Sequence, residues 1–196
     1  MAIKNIGVLL FDEVELLDFA GPVQVFSSLG ALYPDLEINL MTIGLTKQVS
    51  VSKIGMTLNA DVTIEQANDI DLFIIPGGMG TRPLVKDDRH LNQIEKVIDR
   101  ASHVASVCTG SLVLAKLGKL SGLKATTHFA ATDILTKLDP SIIVDRSRRF
   151  HSYDKVTISE GVSAGIDMSF YLTEKWYGRD KSEEVRKYIE YYPEKS

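Results

Sequence analysis

Short apolar runs rich in β-branched residues recur along the chain, each closed by a turn signal. Residues 3–11, 37–43, 71–75 and 103–107 are the clearest. Apolar residues at consecutive rather than alternate positions are how a strand reads when both of its faces are buried. Between several of these runs, apolar positions fall at helical spacing. Leu91, Ile94, Val97 and Ile98 mark one helix, and Leu112, Leu114, Ala115 and Leu117 fill a shorter one that Gly118 ends. Ile134, Leu135 and Leu138 follow a strand-like piece at 124–127. Residues 166–176 read as a helix, and a second helix runs on to about Tyr191. Two pairs of short strands, within 48–58 and 149–159, read as hairpins or edge additions.

Strand–helix alternation with doubly buried strands predicts a mostly parallel central sheet covered by helices. In such a sheet, functional groups collect beyond the carboxyl ends of the strands. There is no internal repeat and no Pro-rich joint, so residues 1–196 are expected to form one domain.

Composition narrows the function classes. A chain of 196 residues buries roughly 70% of the surface its unfolded form exposes and needs no staple. The balance of 22 basic and 26 acidic residues gives a net charge of −4, without the basic footprint of a nucleic-acid binder. No run approaches the ~20 apolar residues of a membrane span. The apolar run at 6–11 stops at Asp12 and Glu13, too soon for a signal-peptide core. The expectation is a cytoplasmic protein with no nucleic-acid or membrane partner. Cys108 is the single cysteine, so no internal disulfide forms and no Cys/His zinc cluster surrounds it.

The residues following the strands carry the candidate chemistry. Pro76-Gly77-Gly78-Met79-Gly80 follows the third run. Its glycine amides suit an anion or a developing negative charge, and a plain tight turn is the competing reading. It is neither a Walker loop nor a dinucleotide fingerprint. Cys108-Thr109-Gly110-Ser111 follows the fourth run and precedes a helix. Strand, sharp turn with a nucleophile, then helix describes a nucleophile elbow, although Ser106 stands where the first glycine of G-x-S-x-G would be. The helix start is expected to lower the thiol pKa. His128 closes the strand-like piece, as a thiolate partner or a hydrogen-bonded strand end. Asp18, with Glu13 and Glu15 as alternatives, follows the first run. It reads as a partly desolvated acid or as a helix N-cap. Arg146, Arg148 and Arg149 read as a solvated face or subunit edge, and Tyr188, Tyr191 and Tyr192 as packing or dimer contacts.

Together these segments resemble the ThiJ/PfpI superfamily, closest to its isonitrile (isocyanide) hydratase branch. The resemblance rests on Leu9-Leu10-Phe11, Glu13-Val14, Leu17-Asp18, Gly21-Pro22, Ile75-Pro76-Gly77-Gly78, Ser106 through Leu114, Ala125-Thr126-Thr127-His128 and Ala164-Gly165-Ile166-Asp167. It implies a three-layer α/β/α sandwich, flavodoxin-like and of the class I glutamine-amidotransferase kind. It implies Cys108 as nucleophile, Asp18 as essential acid and Thr109 as the neighbour that positions that acid. Gly77, Gly78, His128 and Glu160 are expected around the oxyanion or substrate. The implied reaction is a hydro-lyase one: the Cys108 thiolate attacks an isonitrile carbon while protonated Asp18 donates to it. A thioimidate forms, then an N-substituted formamide, with no metal or organic cofactor. A homodimer is also implied.

Deglycase members carry glutamate where Asp18 stands, and PfpI-type peptidases carry histidine where Thr109 stands. Glutamine amidotransferases need a late His-x-Glu pair, whereas His151 is followed by Ser152-Tyr153. Sensor domains of AraC-type regulators share the elbow, but no DNA-binding extension follows Ser196. Two departures from the hydratase pattern concern the substrate: Glu160 stands in a normally glycine-rich stretch, and the tail ends soon after Pro193. A glyoxalase- or deglycase-like enzyme using Cys108 and Glu160, and a redox or small-molecule sensor using Cys108, are the alternative readings.

Overall fold

The computed structural model describes residues 3–193; the tail beyond Pro193 lies outside them. The first apolar run forms β1 (Asn5–Leu10) and leads into α1 (Leu16–Leu32). Next come β2 (Asn39–Gly44), β3 (Gln48–Ser50), β4 (Thr57–Asn59), β5 (Val62–Thr63) and β6 (Leu72–Ile75). A short α2 (Thr81–Leu84) and the amphipathic α3 (Asp88–Arg100) lead to β7 (His103–Val107) and α4 (Gly110–Lys116). The chain continues through β8 (Lys124–Ala125), α5 (Thr132–Leu138), β9 (Ile143–Val144), β10 (Phe150–Ser152) and β11 (Val156–Ser159). It closes with α6 (Ala164–Tyr177) and α7 (Arg179–Tyr188). No helix among the described residues is long and apolar enough to cross a membrane.

Seven strands form the central sheet in the order β10-β11-β7-β6-β1-β2-β5, parallel except for the β10–β11 pair. The strands at its centre are buried on both faces, Leu72, Phe73, Ile74 and Ile75 of β6 completely so. From β1 the chain moves to β2 on one side; from β6 it moves to β7 on the other. Right-handed crossovers therefore put α1 and α3 on opposite faces of the sheet, the three-layer sandwich expected from sequence. On one face α1, α6 and α7 pack together, and Gly21 of α1 lies so close to Ile166 of α6 that a Cβ would come within 2.9 Å of its side chain. The reversal of direction falls between β1 and β6, where open α/β sheets leave a crevice at their carboxyl ends.

Three details differ from the sequence reading. The piece at 124–127 is extended only at Lys124 and Ala125, and it pairs with β9 in a separate two-stranded sheet. His128 therefore does not end a strand of the main sheet. Thr126 and Thr127 lie beyond that strand and are buried, and the Thr127 hydroxyl donates to the Cys108 carbonyl at 3.0 Å. The 149–159 hairpin does join the main sheet, β11 lying parallel to β7 with Ser159 beside Val107. The 48–58 hairpin instead forms its own small sheet and touches the sandwich through a bridge between Val51 and Val14.

Candidate active site

Cys108 sits one residue beyond β7 with φ 58°. That left-handed conformation is uncommon for a residue with a Cβ, and it turns the side chain away from the strand direction. The turn is held from several sides. The Cys108 amide donates to the carbonyls of Ser159 (3.2 Å) and Glu160 (3.0 Å), at the end of β11. Its own carbonyl accepts the hydroxyls of Ser111 and Thr127, both at 3.0 Å. Gly110 permits the tightness, since a Cβ there would lie 2.1 Å from the Ile75 carbonyl oxygen. The nucleophile elbow expected from sequence is thus present in its geometry.

Asp18 lies in the first turn of α1, fully buried, while Glu13 is exposed and Glu15 half-buried. The helix cap is Glu15, so Asp18 is no N-cap. Its Oδ2 accepts the Gly77 amide at 3.0 Å. Oδ1 has no partner of full hydrogen-bond geometry. The Cys108 thiol and the Val162 amide act on this carboxyl as weak donors. Burial raises the Asp18 pKa to about 7 against the lowering effect of Cys108, Gly77 and Val162.

The expected lowering of the thiol pKa is corrected here. Burial, and then the charge of Asp18, push the Cys108 thiol up to about 12, against the weaker pull of the Thr109 and Val162 amides. The helix behind it, α4, is only 7 residues long and cannot offset that desolvation. Between about 7 and about 12 the Cys108–Asp18 pair therefore holds one proton.

Gly77 and Gly78 do not offer free amides. Gly77 N–H is spent on Asp18, and Gly78 N–H donates to Thr109 Oγ1 at 3.0 Å. The expectation that they stabilise an oxyanion is corrected: they hold the acid and its neighbour. A Cβ on Gly77 would stand 2.6 Å from Thr109 N and Oγ1 and 2.7 Å from Asp18 Oδ2. Thr109 Oγ1 also donates to the Gly78 carbonyl at 3.1 Å. It reaches Asp18 through the glycine loop rather than directly. That loop is stitched to the β1–α1 connection by Glu15 N–H on the Gly77 carbonyl (2.9 Å) and Gly80 N–H on the Glu13 carbonyl (3.2 Å).

His128 and Glu160 lie at the rim. The His128 ring accepts the Ala130 amide at Nδ1 (3.3 Å), tilts against Phe129, and covers Gly161. The Glu160 carboxylate turns to Arg146, with Nε and Oε1 3.7 Å apart. These residues, with Thr127, Phe129, Gly161 and Val162, line a cavity of about 170 Å³. Arg146, though half exposed to solvent, is thus also a wall of this cavity. Among the described residues no group of three His, Cys, Asp or Glu side chains is arranged to hold a metal.

Val162 is the residue that sequence reasoning passed over. It is β-branched yet has φ 50°, an outlier for its type, and its amide faces both Cys108 and Asp18. The usable signal was positional: residues 160–162 follow the carboxyl end of a main-sheet strand.

Comparisons with known proteins bear on the family and the fold. The model of the DJ-1/PfpI family matches residues 4–175. Isonitrile hydratase from Pseudomonas putida is 37% identical over 189 residues, 96% of this chain and 79% of that protein. A deglycase of Pyrococcus abyssi is 26% identical over 104 residues, 50% of this chain and 63% of its own. A ThiJ/PfpI family protein from Pseudomonas syringae superposes with a TM-score of 0.87 at 25% identity, covering 99% of this chain and 77% of the other. The elbow, the doubly wound sheet and these matches lead to one conclusion: the chain belongs to the DJ-1/PfpI family.

Proposed function

We propose that this protein hydrates an isonitrile to an N-substituted formamide, as a cysteine-dependent hydro-lyase. The observation that carries the reading is Asp18, fully buried beside Cys108 and fixed by the Gly77 amide, where burial favours the protonated form of both groups. The 37% identity to an isonitrile hydratase supports it.

The chemistry follows from that pair. With Asp18 as carboxylate and Cys108 as thiol, Asp18 takes the sulfur proton while sulfur bonds to the isonitrile carbon. That carbon's lone pair then takes the same proton from Asp18, giving R–N=CH–S–Cys108. Asp18, again a carboxylate, takes a proton from water as its oxygen adds to the carbon, and passes that proton to nitrogen. Collapse breaks the C–S bond, forms R–NH–CHO and returns the hydroxyl proton to the thiol. One carboxyl group alternating as base and acid suits both halves. The Thr109 and Val162 amides oppose the build-up of negative charge on sulfur. Atoms balance without a cofactor.

A deglycase-like use of Glu160 would need its carboxylate at the sulfur, and it faces Arg146 instead. A peroxide sensor would need an exposed, acidic thiol, and Cys108 is 6% exposed with a raised pKa. The reading extends to a cytoplasmic homodimer. Leu16, Leu17, Ile54, Met56 and Met79 are exposed, on segments that Val14 joins by its bridges to Val51 and Gly78.

Incubation with an alkyl isocyanide tests the proposal. Formamide should form, Cys108→Ala and Asp18→Asn should each abolish it, and kcat/KM should rise with pH through about 7 as Asp18 ionises. Undiminished turnover by Cys108→Ala would sink the covalent route.

A further inference from the structure

The cavity beside Cys108 is rich in donors. Its volume, about 170 Å³, leaves room for a small molecule. Three of its lining residues touch Cys108. The Thr127 hydroxyl bonds its carbonyl, the Glu160 carbonyl accepts its amide, and the Val162 amide faces its sulfur. The cavity therefore abuts the turn that carries Cys108, and Val162 links it to the thiol.

Two of its polar groups have donors to offer. His128 accepts an amide at Nδ1, so its neutral ring carries a proton on Nε2, and its charged ring does too. Arg146 has a fork of five N–H donors. Its 3.7 Å approach to Glu160 is an ion pair but too long for a hydrogen bond. Among the described residues the guanidinium makes no other polar contact. The neighbouring Arg149 is different. Its Nε donates to Asp167 Oδ2 at 2.6 Å and its Nη2 to Ser163 Oγ at 3.1 Å, so its charge is already engaged. The one carboxylate at the rim, Glu160, already faces a cation, which would repel a substrate ammonium. A guanidinium has edges enough to keep Glu160 on one side and take a second carboxylate on another.

We propose that this cavity admits a small substrate bearing a carboxylate, and that Arg146 is the residue that selects it. Resting on the hydratase reading, the substrate class is an isonitrile with a carboxylate a few atoms from the reacting carbon. Glu160 limits the selectivity, because its own charge opposes the incoming anion.

Cys108 is the only cysteine, so alkylation tests the selection without relying on turnover. Rates with iodoacetate and iodoacetamide, a charged and a neutral reagent of nearly equal size, are measured by mass spectrometry. Arg146→Gln should lower the iodoacetate/iodoacetamide rate ratio by about threefold to tenfold, Arg146→Lys by less, and Glu160→Gln should raise it. A ratio unmoved by Arg146→Gln, or no modification of the folded chain by either reagent, would overturn the proposal. Turnover of isocyanoacetate and of its methyl ester is read in parallel. A preference for the acid that Arg146→Gln erases supports the proposal, whereas equal use of both by wild type counts against it and leaves the hydratase reading standing. If neither is hydrated the hydratase reading fails, and the alkylation ratio alone decides whether Arg146 selects anions.

Discussion

At the scale of single residues, the site stores its chemistry as unfavourable burial. Asp18 has its pKa raised from 3.8 to about 7. Between those values the folded chain keeps a proton that the unfolded chain releases, so the stability this group contributes is full at low pH and lost as pH rises to about 7. Asp18→Asn escapes that loss. Denaturant titrations should find the variant more stable than wild type by on the order of a few kcal/mol at pH 8, with the gap closing near pH 4. An equal gap at both pH values would show that Asp18 is not held as a buried acid. Val162 stores strain instead, and Val162→Gly should stabilise the chain by about 1 kcal/mol, read as a higher unfolding midpoint. Of these features, the sequence displays the elbow, because strand, cysteine and helix are contiguous. It does not separate Asp18 from Glu13 and Glu15, which differ only in burial. It hides Val162 altogether, since a β-branched residue carries no preference for a left-handed backbone. The direction of the Cys108 shift was equally invisible, because desolvation depends on what packs over the thiol.

At the scale of elements, the site is held by a loop whose amides are already spent. The 76–80 turn carries Asp18 on one amide and Thr109 on the next, and its carbonyl accepts the backbone of Glu15. Gly77→Ala places a methyl between Thr109 and Asp18 at distances of 2.6–2.7 Å. It should cost about 1–3 kcal/mol and slow turnover far more than Gly55→Ala in the open β3–β4 turn, where a Cβ meets nothing within 4 Å. Steady-state kinetics beside thermal melts check the contrast; equal effects on turnover would refute it. The strands were legible because doubly buried strands are apolar throughout. Helix α1 was not, because Gly21 and Pro22 interrupt it and its apolar residues are not confined to one stripe. Pro22 has no N–H for the Asp18 carbonyl, so the turn of that helix that carries Asp18 is tied less by its own ladder than by Gly77.

At the scale of the whole molecule, the proposed pairing of two copies is directly testable. Light scattering should give twice the mass of the 21.7 kDa chain, and Leu17→Glu should shift it toward the single chain; a wild-type monomer at working concentration would refute the dimer. The parallel topology was readable from the alternation of elements, whereas the placement of β8 outside the sheet was not, since two residues of pairing leave no periodic trace. The β10–β11 hairpin described above brings Glu160 and Val162 over an elbow that lies fifty residues earlier in the chain. During synthesis the thiol therefore emerges long before its cover does. A nascent chain halted at α5 would display Cys108 unshielded and without its last two backbone partners, so competence arrives as a late step of biogenesis, only once the final third of the polypeptide has been made.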